Sequence, residues 1–219
     1  MIWSDTDILM GIERGEISID PFYPERVQPS SYDLTLGSEF RVFTNYQRVS
    51  VDPQNPPDDL TCQVIVGREG FVLHPGEFAL ATTVEYLTFG TAVVGILNGK
   101  SSLGRVGLLI HSTAGYFDPG FEGQATLELS NVSNLPIVLT PGMSIGQMVY
   151  TRTVSPAMKP YGHPDLKSRY QGQTGATAPR PTPSQPENPG NREGRKEDSE
   201  NPIVWCQLCM REHPAYGVH

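Results

Sequence analysis

Hydrophobic and polar positions follow two periods along this chain. In "SDTDILMGIERGE", residues 4–16, Ile8, Leu9 and Ile12 recur at helical spacing behind Ser4, and Asp7 stands three residues after that serine. This predicts one capped amphipathic helix near residues 5–14. Beyond it come short β-prone segments: "SYDLTLGSEFRVF", "FVLHPGEFALATTVEYL", "GLLIHS", "ATLELSNVS", "LPIVLTPG" and "IGQMVYTRTVS" are rich in β-branched and aromatic residues. Pro-Gly pairs at 75–76, 119–120 and 141–142 break them. Short strands punctuated in this way predict a mainly β fold, an antiparallel sandwich or barrel. In "ATLELS" a period of two sets Thr126, Glu128 and Ser130 on one face and Leu127 and Leu129 on the other.

The pattern ends at residue 174. From Thr174 to Pro202 there is no Val, Ile, Leu, Met or aromatic residue, and six prolines recur among Ser, Asn, Gly and charges. Such a stretch cannot form a core, so a folded domain over 1–173, a disordered Pro-rich linker over 174–202 and a short tail over 203–219 are expected. The tail carries Cys206, Cys209, His213 and His219. Their spacing suits a small zinc site, and a frayed tail with two reduced cysteines is the plain alternative.

Composition narrows the function classes. The 219 residues suffice for one domain and an extension. With 24 acidic against 16 basic residues the formal charge is -8, which repels polyanions and leaves no basic footprint for duplex nucleic acid. A small anionic substrate stays possible where cations are local. Three cysteines are too few for a disulfide scaffold, the N-terminus is acidic where a secretory leader would be basic, and no apolar stretch approaches the ~18 residues of a membrane span. A soluble cytoplasmic protein with no membrane partner is expected.

The candidate chemistry lies between residues 98 and 131. Lys100, Ser101, Ser102 and Arg105 follow the turn at Asn98-Gly99, offering two cations, two hydroxyls and backbone N–H groups to one small anion such as phosphate. A polar turn with solvated cations is the plain alternative. Asp118 precedes Pro119-Gly120, where its carboxylate could accept a bond from a sugar hydroxyl or simply serve the turn. Glu128 stands between hydroxyls on the polar face of its strand, a place that is often only solvated, and His111 reads as structural. Neither G-x-G-x-x-G after a strand nor G-x-x-x-x-G-K-[ST] occurs, which excludes the dinucleotide fold and the common phosphate loop.

Taken together, "NGKSSLGRVGLLIHSTAGYFDPGFEGQATLELSN", "LPIVLTPGMSIGQMVY" and "YGHPDLKSRYQGQTGA" resemble the dCTP deaminases, relatives of the trimeric dUTPases. "DPFYPERVQPSSYDLTLGSEFRVF" and "FVLHPGEFALATTVEYL" share the likeness, so it covers roughly residues 1–176. The resemblance implies a distorted β barrel or jelly roll assembled as a homotrimer with active sites shared between subunits. It also implies Glu128 as general base and proton carrier, with Ser101 and Arg105 orienting the attacking water. Lys100, Ser101, Ser102, Leu103, Gly104 and Arg105 would hold phosphates, Asp118 the deoxyribose 3'-hydroxyl, and the backbone of Thr126 and Leu127 the pyrimidine edge. Gln147, Tyr161, Arg169 and Gln173 match positions that close over the triphosphate. Arg169 departs from the family's lysine, and Lys167 could substitute for it.

The implied ligands are dCTP, dUTP and dTTP, with magnesium bridging triphosphate oxygens and no metal site of the protein's own. A zinc-dependent deaminase would need H-x-E followed by P-C-x-x-C, and the chain has no H-x-E. Two activities share the implied fold: release of dUTP, or deamination coupled to triphosphate cleavage, giving dUMP for thymidylate supply. Gly115, in a loop where single-activity members tend to carry histidine, favours the second, because glycine permits close backbone approach and φ angles unavailable to histidine. A non-catalytic module sensing dTTP or dUTP remains a third reading.

Overall fold

The computed structural model describes residues 1–44, 50–113 and 115–181. Ala114, the linker beyond 181 and the Cys206, Cys209, His213, His219 group lie outside the described residues. The expected helix is present as α1 (Asp5–Glu13): the Ser4 hydroxyl accepts the Asp7 N–H, and the Asp7 carboxylate accepts the Ser4 N–H at 2.9 Å. These bonds to its charged form hold the Asp7 carboxyl below the usual carboxylate range.

Among the described residues twelve strands follow: β1 (Ile17–Asp20), β2 (Val27–Gln28), β3 (Ser31–Phe43), β4 (Thr61–Ile65), β5 (Phe71–Leu73), β6 (Phe78–Phe89), β7 (Val93–Gly99), β8 (Leu108–Leu109), β9 (Tyr116–Phe117), β10 (Glu122–Asn131), β11 (Ile137–Leu139) and β12 (Ser144–Arg152). A single turn of helix, α2 (Ser101–Gly104), separates β7 from β8. Ten strands form one curled sheet in the order β8-β10-β6-β3-β12-β7-β9, with β1 added to β6 and both β2 and β4 to β3. β5 and β11 pair separately. All the named pairs run antiparallel, so the fold is mainly β as expected. Gly76, Gly120 and Gly142, the second members of the three Pro-Gly pairs, have φ of +76°, +88° and +90°, which only glycine adopts without strain in a tight turn.

The core forms on the concave side from alternate residues: Leu127 and Leu129 of β10, Tyr32, Leu34, Leu36 and Phe40 of β3, and Met148 and Tyr150 of β12 are all buried. Phe89, Phe117, Phe121 and Tyr150 pack ring on ring across it. Burial pushes the Tyr150 phenol far above its ordinary range. One strand inverts the pattern. Where β6 bulges against β10, Val84 is exposed and Glu85 is fully buried, its carboxylate accepting the Thr35 N–H at 2.9 Å and standing 3.5 Å from Arg26. A buried carboxylate is tolerable here because it is paired and hydrogen-bonded.

The first residues of the expected linker are among the described ones. Residues 174–181 lie on the sheet as part of a compact unit spanning Met1–Pro181. Ala176 is buried, its N–H donates to Glu39 at 2.8 Å and its carbonyl accepts Arg41 Nε at 2.7 Å. Backbone groups docked on side chains of β3 order a segment whose own side chains offer no core.

Candidate active site

β10 carries the central residue of the site. Its burial alternates along the strand, with Leu127 and Leu129 inward and Thr126, Glu128 and Ser130 half-buried on the other face, as the period of two predicted. The Glu128 N–H donates to Ile110 C=O at 2.9 Å, and its carboxylate Oε2 accepts the backbone N–H groups of Ser112, at 2.8 Å, and Thr113, at 3.4 Å. The carboxylate is thereby fixed in orientation, and no bond among the described residues occupies Oε1.

A cavity of about 340 Å³ opens beside it, within the range of small-molecule sites. Asp118, Thr126, Glu128, Tyr161 and Gln173 line it, together with an aromatic rim that includes Phe43, Phe78 and Tyr170. The strand's edge is bonded above and below this point: Glu128 donates to Ile110, and Gln124 donates to Gln173 C=O at 2.9 Å. Antiparallel alternation turns the N–H and C=O of Thr126 to the same edge, in the gap between those bonds. It turns the backbone of Leu127 the other way, to Ala81 of β6. Of the two residues expected to present their backbone to a base, Thr126 alone is placed to do so, because successive residues of a strand bond to opposite sides.

The turn after β7 builds a second cavity, of about 540 Å³, lined by Lys100, Ser101, Ser102, Gly104, Leu109 and Gln147 among others. Gln147 is held by Ser31 Oγ at 3.1 Å. Leu103 packs against the core, so it anchors the turn and does not line that cavity. Arg105 is exposed and lines neither cavity. Ser101 thus lines the second cavity and Glu128 the first. His111, read from sequence as structural, lines both cavities, and its Nδ1 is buried without a partner among the described residues. Its adjacency to Ile110, the backbone partner of Glu128, put it there, and nothing in its local sequence announced this.

The segment 161–181 closes one side of the first cavity. The Tyr161 N–H donates to Pro119 C=O at 2.8 Å, its hydroxyl accepts the Tyr170 N–H at 3.0 Å, and Gln173 Nε2 donates to Gln124 C=O at 2.7 Å. Thr177 and Pro179 add to the wall. Arg169 and Lys167 line neither cavity; the Arg169 carbonyl accepts the Arg180 guanidinium. Gly115 is tightly placed: it accepts the Leu97 N–H at 2.7 Å, and a Cβ on it would meet the Leu97 oxygen at 2.8 Å and the His111 ring at 3.4 Å. That close approach accounts for a glycine at this position.

The dCTP deaminase-like family model matches residues 2–153, which include the whole sheet and stop short of the closing segment. The chain belongs to this family. It is 55% identical over 185 residues to a protein of Salinispora tropica named "dCTP deaminase, dUMP-forming", covering 84% of this chain and 94% of that one. A Corynebacterium diphtheriae protein of the same name is 52% identical over 84% of this chain and 96% of its own. The solved 2'-deoxycytidine 5'-triphosphate deaminase of Agrobacterium tumefaciens matches with a TM-score of 0.55 at 25% identity, over 69% of this chain and 47% of that one. Among the described residues no helix is long and apolar enough to cross a membrane.

Proposed function

We propose that this protein is a dUMP-forming dCTP deaminase: it hydrolyses dCTP to dUMP, pyrophosphate and ammonia, consuming two waters. The observation that carries this reading is the 55% identity over 84% of the chain to a protein named for that reaction, and the clamped carboxylate of Glu128 beside a nucleoside-sized cavity supports it. Glu128 Oε1 takes a proton from a water as the water oxygen bonds to C4 of cytosine. The same carboxylate passes protons toward the ring nitrogen and the departing amine, the C4–N4 bond breaks, and ammonia leaves. General base catalysis of this kind supplies a factor of ~10²–10⁴. Thr126 reads the pyrimidine edge with its backbone, and Asp118, whose carboxylate has no bond among the described residues, accepts the 3'-hydroxyl.

Lys100, Ser101 and Ser102 hold the triphosphate while a second water oxygen bonds to the α-phosphorus and the bond to the bridging oxygen breaks, releasing pyrophosphate. Among the described residues no three acidic, His or Cys side chains converge on one point, and the exposed serine hydroxyls beside Lys100 suit phosphate oxygens, so a magnesium ion fits here as one carried by the triphosphate. When bound it neutralises charge on those oxygens. Arg105 and Ser101 orient the attacking water at Glu128 from a neighbouring subunit of a homotrimer. Gln147, Tyr161, Arg169 and Gln173 close over the nucleotide, dUTP and dTTP enter the same cavities, and the enzyme works in the cytoplasm. The folded domain spans 1–181, and the remaining tail takes no part in the chemistry.

Chromatography of the products of dCTP with magnesium tests this reading. We expect dUMP and pyrophosphate together from the earliest times with little free dUTP. Stoichiometric dUTP without pyrophosphate would mean a single-activity deaminase, and nucleotide binding without any product would mean a sensing module.

A further inference from the structure

A carboxylate is bonded to Lys100, a lining residue of the second cavity, where an anion-binding site has least use for one. Asp33 of β3 lies opposite Gln147 across the β3–β12 pair, and Gln147 lies opposite Asn98 across the β12–β7 pair. Three neighbouring strands therefore bring Asp33, Gln147 and, two residues past Asn98, Lys100 to one place. Asp33 Oδ2 accepts Lys100 Nζ at 2.5 Å, with the two side chains 14% and 26% exposed. The other oxygen, Oδ1, is buried and has no partner among the described residues. Lys100 is the single group the carboxylate bonds among the described residues.

The contrast with Glu85 is informative. Glu85 is also buried, but it ties the Thr35 N–H and hydroxyl and the Arg26 guanidinium together, which is what a carboxylate serving the fold does. Asp33 joins no structural elements except through Lys100. It gives up hydration for one bond, and its charge weakens the pull of the cavity on an anion. Holding the lysine is the remaining use for it. The lysine stem has four rotatable carbons, and fixing them on substrate binding costs conformational entropy that a prior bond removes. An ammonium has three N–H donors, so one on Asp33 leaves two for phosphate oxygens.

We propose that Asp33 is a positioning residue for the triphosphate, holding the Lys100 ammonium in place at the second cavity. This rests on Lys100 as a phosphate ligand. Steady-state turnover of dCTP with magnesium, with thermal unfolding recorded alongside, tests it in a cycle of Asp33→Ala, Lys100→Met and the double variant. Loss of a charge-assisted bond predicts that Asp33→Ala raises KM about tenfold with kcat changed less than about threefold. Asp33→Asn, which keeps an oxygen to accept from the ammonium, is expected to recover most of that loss. In the Lys100→Met background, Asp33→Ala is expected to change KM by less than about twofold, because the two residues act as one unit. Asp33→Glu, which keeps the charge and displaces it by a methylene, serves the same cycle should the alanine variant unfold. A tenfold rise that persists without Lys100, a fall in kcat at unchanged KM, or a lower KM in Asp33→Ala would each overturn the proposal. Unchanged KM in Lys100→Met alone would instead remove the phosphate-site reading beneath it, and the proposal with it.

Discussion

β10 holds Glu128 between the paired strand β6 and the Ile110 carbonyl, and two backbone N–H groups fix its carboxylate. The turn from Lys100 to Arg105 is built differently: four of its six residues are exposed, and the Arg105 guanidinium has no bond among the described residues. In the proposed reaction, the group that must meet one ring carbon at one angle sits on a strand paired along its length with β6. In the proposed reaction, the groups that grip the triphosphate sit on an exposed turn. Rigidity at the first place and adjustability at the second are what proton transfer and phosphate binding respectively require.

The sharpest way to break this contrast is Glu128→Gln, which keeps the shape and removes the proton acceptor. Ammonia release is expected to fall by about 10²–10⁴-fold while calorimetric dCTP binding and the unfolding temperature stay near those of the unmodified protein. Near-normal ammonia release would end the assignment. On the turn the effect should fall on binding: Ser102→Ala and Lys100→Met are expected to raise KM for dCTP by about 10-fold, as loss of a hydrogen bond to a charged group does. If either variant lost only kcat, the turn would belong to the chemistry and not to the grip.

Gly115 lies between the two regions and tests how they communicate. Gly115→His should shift the product from dUMP toward dUTP, read as the ratio of the two by chromatography. A Cβ 2.8 Å from the Leu97 oxygen forces that strand to move, so Gly115→Ala separates the backbone effect from the ring. An unchanged ratio in the histidine variant would leave the glycine with a packing role alone. The smallest effects belong to the closing segment. A chain stopped after Gln173 loses the Ala176 bonds to Glu39 and Arg41 and should unfold several degrees lower, whereas one stopped after Pro181 should keep its unfolding temperature and its turnover within about twofold. A zinc-selective chelator with excess magnesium should likewise leave turnover unchanged. Activity lost in the longer truncate would bring the tail into the active assembly.

Much of this was legible in the order of residues because it is local. The Ser4–Asp7 capping box, the Pro-Gly turns and the two faces of "ATLELS" depend on neighbours at most four positions away, and the chain adopts them as read. β3 matches the segment "SYDLTLGSEFRVF" from end to end. β7 did not stand out in "VVGILNG", because two glycines dilute its β-branched signal, and it is made a strand by pairing along its length with β12.

By itself the sequence determined that a mainly β domain follows one short helix, that Glu128 faces away from the core, and that cations cluster after Asn98. Only the tertiary structure decided that Val84 is exposed and Glu85 buried, that Thr126 and not Leu127 turns its backbone to the open edge, that His111 walls both cavities, and that Asp33 bonds a lysine 67 residues away. It also docked Ala176 on Glu39 and Arg41 across more than 130 residues of chain. The reason is physical: hydrophobic periodicity encodes which face of a strand is buried, but bulges, register and the meeting of distant polar groups follow from which strands pair, and that is settled by the packing of the whole sheet.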